Sequence, residues 1–107
     1  MGSLSSLDLS NNQITSLPKD LVNTSNVHSL NLDANKLKKL PKGMNKMQML
    51  AFLYLAGNKG IVLKKDLAEV PNLYEVKIRH DDLSEEALAK LKAMLGEEKL
   101  YITYYDY

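Results

Sequence analysis

The chain repeats itself every 23 residues. Written from Leu4, the lines 4–26, 27–49 and 50–72 stack without a gap, and a fourth runs from 73 to 96. One column reads Leu7, Leu30, Leu53, Val76; another reads Leu9, Leu32, Leu55, Ile78; a third reads Asn12, Asn35, Asn58, Asp81. A fixed period of a few tens of residues marks units that cannot bury an apolar face alone and bury it by stacking. Since the chain has 107 residues, the stack has room for one domain, 1–107, and not for two independent cores.

Each column has a physical task. Leucines at alternate positions, as in Leu7-Asp8-Leu9, send one face of a short strand inward and leave the residue between them outside. Strands of successive repeats then pair in parallel, and their leucines form one continuous core. The asparagine that follows stands where the backbone leaves the strand, and its amide can donate to and accept from neighbouring main-chain groups. Three asparagines in register predict a ladder. Ile14 and Leu37, then Leu17, Leu40 and Leu63, then Leu21, Met44 and Leu67 are expected to close the core from the outer side. Pro18 and Pro41 fix φ at the turn. The outer segments are too short for good helices, which predicts extended or single-turn structure there.

The pattern L-x-x-L-x-L-x-x-N-x-L-x-x-L-P resembles the leucine-rich repeat family. The pairs Leu17-Pro18 and Leu40-Pro41 in a 23-residue frame resemble its intracellular Ras-suppressor type. The resemblance implies an α/β solenoid with about five parallel strands on a concave face, roughly 4.8 Å apart. It also implies a non-catalytic protein-interaction module.

The repeat changes toward the C-terminus. Gly60 stands where an apolar residue is expected and Lys64 where Pro is expected, which predicts an irregular third outer arc. Asp81 takes the asparagine position. Ser84 to Leu95 reads as an amphipathic helix, with Ser84 as N-cap, Glu85 and Glu86 in the first turn, and Gly96 at its end. Leu88, Leu91 and Leu95 share one face, flanked by Ala87 and Met94. Leu100 and Ile102 restore the inward spacing, so Lys99 to Tyr105 predicts a fifth strand. Residues 84–107 together read as a C-terminal cap of helix and strand.

The outward strand positions fall into three columns. The central one is Asp8, Asn31, Tyr54, Lys77, Tyr101; before it come Ser6, Ser29, Phe52, Glu75, Lys99; after it, Ser10, Asp33, Ala56, Arg79, Thr103. Repeats one and two present small polar groups there. The later repeats present Phe52, Tyr54, Lys77, Arg79 and Tyr101, the candidate protein-binding residues, because aromatic and arginine side chains dominate interface hot spots. Two plainer readings compete for Phe52: it packs on Tyr54, or the register slips at the third repeat.

Other functions find little support. A net charge of +1 argues against bare nucleic acid as partner. The sequence has no cysteine, hence no disulfide or thiolate chemistry, which fits a cytoplasmic protein. No apolar run is long enough to insert in a membrane. Lys36, Lys38, Lys39, Lys42 and Lys46 make the second outer arc basic, which reads as a solvated face in preference to a phosphate or membrane surface. His28 and His80 lie in different columns two repeats apart, too far to share a metal, and no phosphate loop, nucleophile elbow or carboxylate pair with a pocket to act in is expected. No cofactor is expected. The tyrosines from Tyr101 to Tyr107 read as cover for the last strand edge or as phosphorylation sites. At the other end Leu4, Leu7 and Leu9 start the pattern at full strength with no cap before them. Either more repeats precede them, making the chain the C-terminal cap of a larger protein, or two copies meet there as a homodimer.

Overall fold

A computed structural model describes residues 5–24 and 26–104. Five strands, β1 (Ser5–Asp8), β2 (Val27–Asn31), β3 (Phe52–Tyr54), β4 (Glu75–Arg79) and β5 (Leu100–Thr103), form one parallel sheet in chain order. Leu7 pairs with Leu30, Leu30 with Leu53 and Leu53 with Val76, which is the register the 23-residue period dictates, and Val76 pairs with Leu100, 24 residues on. Because each outer arc returns the chain to the start of the next strand, consecutive strands have only one place to pair. β5 starts after a 3-10 turn at Glu97–Lys99. Tyr105, expected in this strand, lies outside the described residues.

The core fills from both sides. Leu30, Leu32, Leu53, Leu55, Val76 and Ile78 are fully buried from the strand side, and Val22, Met44, Met47, Leu50, Leu67 and Val70 close it from the arcs. The first two arcs carry 3-10 turns at Lys19–Asn23 and Met44–Lys46. The third arc corrects the expectation of irregularity: it holds α1 (Lys65–Ala68), and its Val62 N–H donates to Lys38 O at 2.9 Å. The place left by Gly60 is taken by the next residue, Ile61, which is buried. One apolar side chain shifted by one position is enough to keep the arc in step with its neighbour.

The asparagine ladder forms. Asn35 Nδ2 donates to Leu9 O at 2.9 Å and to Leu32 O at 3.1 Å, while its Oδ1 accepts from Ile14 N at 3.1 Å. Asn58 repeats this one turn on, donating to Leu32 O and Leu55 O at 2.9 Å each and accepting from Leu37 N at 3.0 Å. These bonds satisfy main-chain groups that the leucine layers seal from water. In the fourth repeat the expected role of Asp81 is not fulfilled. A carboxylate has no N–H to give to carbonyls, so Asp81 turns to solvent and pairs with Arg79 Nε at 3.0 Å and Lys59 Nζ at 3.5 Å. Its neighbour Asp82 goes inside and accepts from Gly57 N and Arg79 N at 2.9 Å each.

The two ends differ. At the C-terminal side α2 (Glu85–Leu95) is capped by Ser84, whose hydroxyl accepts from Ala87 N at 3.1 Å, and buries Leu91 and Leu95 against the last turn. On the N-terminal side Leu7, Leu9, Ile14, Leu17 and Leu21 are only half-buried, whereas Leu30, Leu32 and Leu37 one repeat later are completely enclosed. Leu4 lies outside the described residues.

Candidate functional site on the open face of the sheet

The central column stands in the expected register: Asp8 beside Asn31, Asn31 beside Tyr54, Tyr54 beside Lys77, and Lys77 beside Tyr101. Phe52 does not slip. It pairs with Ser29 on one side and Glu75 on the other, so its ring stands on the open face. The ring stacks on Tyr54 with 6.4 Å between centroids and meets Tyr74 and His28 edge-on at 5.6 and 5.5 Å. His28 and Tyr74 share a column with Ala51 between them, and that small side chain leaves room for Phe52 to lean between its neighbours. The result is a four-ring cluster that leaves Tyr74 67% exposed. Edge-to-face and offset contacts of this kind hold rings in fixed orientations.

Beside it lies a charged strip. Lys77 reaches back across the third repeat to Asp33, Nζ to Oδ2 2.9 Å, and on the way its ammonium passes 5.8 Å from the Tyr54 ring centre. The other Asp33 oxygen accepts from Ala56 N at 2.8 Å. This corrects the outermost column: Asp33, Ala56 and Thr103, expected to face solvent, are buried. At Asp33 and Ala56 the cause is the Lys77–Asp33 ion pair, whose carboxylate also accepts from the alanine N–H. Arg79 is drawn to Asp81, away from the aromatic cluster, and Tyr101 extends the central column half-exposed beyond Lys77. The rings of His80 and Tyr104 stack at 5.1 Å.

Three carboxylates have pKa values shifted from their usual range. The hydroxyl and N–H of Ser10 both hydrogen-bond to Asp8 and lower its pKa. Burial opposes the charge on Asp81, but Arg79 and Lys59 outweigh it and the pKa falls. For Asp82 burial wins over its two backbone hydrogen bonds, the adjacent Asp81 adds to it, and the pKa rises.

His28 and Tyr74 were missed as partners of Phe52. The signal available was their shared column at the strand entrance, 46 residues apart, flanking an alanine. Among the described residues no three His, Asp or Glu side chains converge to hold a metal ion, and no helix is long and apolar enough to cross a membrane.

A parallel one-strand-per-repeat sheet, an asparagine ladder and short outer arcs define an α/β leucine-rich repeat solenoid. The sequence profile described as Leucine rich repeat matches residues 2–59, more than half of the chain, and the chain belongs to that family. A solved structure of an LRR protein from Leptospira interrogans is similar, with a TM-score of 0.77 and 30% identity. The similarity covers 90% of this chain and 24% of that one, so the chain spans about a quarter of the length of the Leptospira protein. No curated protein matches it in sequence. Leucine-rich repeat folds serve chiefly as scaffolds for protein interaction and not as enzymes.

Proposed function

We propose that the chain is a non-catalytic module that binds a partner protein on the open, concave face of its sheet. The observation that carries this reading is the ring cluster of Phe52, Tyr54, Tyr74 and His28, continued by Lys77 and Tyr101. Preoriented rings lose little conformational entropy when a partner covers them, and Tyr74 and Tyr101 offer large area without further cost to the core. Arg79, paired with Asp81, belongs to the rim of this patch. The test is affinity capture from source-cell lysate with wild type, Phe52→Ala/Tyr54→Ala and the gentler Tyr74→Ala/Tyr101→Ala. Loss of one protein from both variants is expected. A partner retained equally by all three would refute the patch.

The half-buried first layer favours a second reading. Leu7, Leu9 and Ile14 stay partly in water, and completing their burial gains a part of the about 1.5–3 kcal/mol that full burial of such a side chain provides. Two copies meeting at this end would form a closed homodimer. The rival occupant is another repeat of a longer array, for which this chain serves as a C-terminal cap without a binding surface of its own. The length of the Leptospira protein agrees with that rival. Sedimentation velocity of wild type against Leu4→Lys separates the two, because only the dimer reading expects concentration-dependent association that the charge removes. The cap reading, in turn, expects the ring variants to capture whatever wild type captures.

A further inference from the structure

Positive charge is segregated along this chain. Residues 34–65 hold eight lysines and neither Asp nor Glu, so a protein of net charge +1 carries +8 there and −7 elsewhere. On the sheet face the cations are compensated: Lys77 by Asp33, and Arg79 by Asp81. The outer arcs are different. Lys19 of the first arc, Lys39 and Lys42 of the second and Lys64 of the third surround one groove of about 300 Å³. Among the described residues none of these four makes an ion pair.

The groove has an apolar floor that includes Pro41 and Val62, and Val62 is 56% exposed. Its one carboxylate, Asp66, is held back by the fold, with Oδ2 accepting from Gly43 N at 3.0 Å. Four ammonium groups that make no ion pair, against one carboxylate, leave the rim of the recess positive and select an anionic occupant with an apolar part. The lining contains no arginine fork to grip a phosphate and no aromatic ring on which a base could stack, which disfavours nucleic acid. A bilayer surface would touch the lysine tips and leave the recess empty. An extended peptide fits both features, since alternate side chains point to opposite sides and one aliphatic group can enter while flanking carboxylates reach the rim.

We propose that this groove docks an acidic, extended segment of a partner protein, with an aliphatic side chain over Val62 and carboxylates on Lys19, Lys39, Lys42 and Lys64. It is a second surface, separate from the ring cluster and independent of it. The test is fluorescence polarisation of a labelled peptide in which glutamates flank a central leucine. Saturable binding that weakens with salt is expected, and Lys39→Glu/Lys42→Glu should weaken it about tenfold at low salt. The decisive variant is Val62→Lys, which adds a positive charge but fills the recess. Docking in the groove requires weaker binding, whereas diffuse attraction to a basic surface requires stronger binding. Lys90→Glu/Lys92→Glu on α2 serves as a charge-matched control and should bind as wild type; circular dichroism checks the fold of each variant. Absence of peptide binding, equal loss in the control, or stronger binding by Val62→Lys would each overturn the proposal. So would binding to phosphatidylserine-containing vesicles without binding to the peptide.

Discussion

Asn12 and Asn58 occupy the same column of the repeat, yet replacing each by alanine should have very different consequences. Asn58 is completely buried and serves three main-chain groups: the carbonyls of Leu32 and Leu55 and the N–H of Leu37. Truncation leaves all three without this partner, in a layer sealed by leucines. A buried polar group deprived of its hydrogen bond costs about 1–3 kcal/mol, so Asn58→Ala is expected to lose about 4 kcal/mol once partial relaxation is allowed for. A domain of this size has about 5–15 kcal/mol in all, so the variant should be close to unfolding at 37 °C. Asn12 is exposed and holds only Leu9 O at 3.0 Å and Ser10 O at 3.2 Å, which water can replace. Asn12→Ala should therefore lose less than about 1 kcal/mol. Urea unfolding followed by far-ultraviolet circular dichroism measures both, with an unchanged slope as the check that the unfolded state is the same. If the two variants lose equal stability, the ladder owes its strength to local turn geometry and not to sealed backbone groups.

Other substitutions probe other parts of the fold. Ala34 has φ of 58° and Gly57, its counterpart one repeat later, has φ of 90°. Ala34→Gly should raise the unfolding free energy slightly, by about 0.5 kcal/mol, and Gly57→Ala should lower it by about 1–2 kcal/mol, because only glycine occupies that region without steric cost. Burial raises the Asp82 pKa above its unfolded value, so between the two values the folded state binds more protons and stability falls as pH rises. In Asp82→Asn an amide oxygen keeps the bonds from Gly57 and Arg79. That variant should be more stable than wild type at neutral pH, with the gap closing in acid; a gap independent of pH would contradict the assignment. Removing the N-cap hydroxyl by Ser84→Ala should lose about 1 kcal/mol and speed hydrogen exchange in the first turn of α2, while Ser84→Asp should retain the cap.

The sheet register was legible because period and side-chain alternation are both backbone properties. Leu7, Leu30, Leu53 and Val76 are neighbours for no reason other than a constant spacing of 23. The same logic placed Phe52 on the open face and Ser84 at the helix start. Sequence reasoning failed where a side chain is steered by a group one or two repeats away. Asp33 and Ala56 occupy outward positions but are buried because Lys77, 44 residues on, crosses over them. Asp81 left the asparagine position for Arg79 and Lys59 because the ladder needs an N–H donor that a carboxylate lacks. Gly60 suggested an irregular third arc, although Ile61 stood ready beside it. The ring cluster combined both cases: Phe52 and Tyr54 were visible in their columns, whereas His28 and Tyr74 mattered only once Ala51 was seen as a gap.

The direction of the cross-repeat hydrogen bonds has a consequence for how the protein is made. Among the described residues Asn35, Asn58, Asp66, Asn72 and Asp82 all reach to main-chain groups some 21–26 residues earlier, while Asp33, accepting from Ala56, and Lys38, donating to Lys59 O, reach forward. Each turn is thus completed by the turn that follows it. On the ribosome, where the N-terminal repeats emerge first, a turn can collapse and bond its own asparagine, but the N–H groups of Ile14 and Leu37 gain their side-chain acceptor only when the next asparagine has cleared the exit. Consolidation should trail synthesis by one repeat, and among the described residues it is β5, following α2, that completes the last turn by pairing with β4.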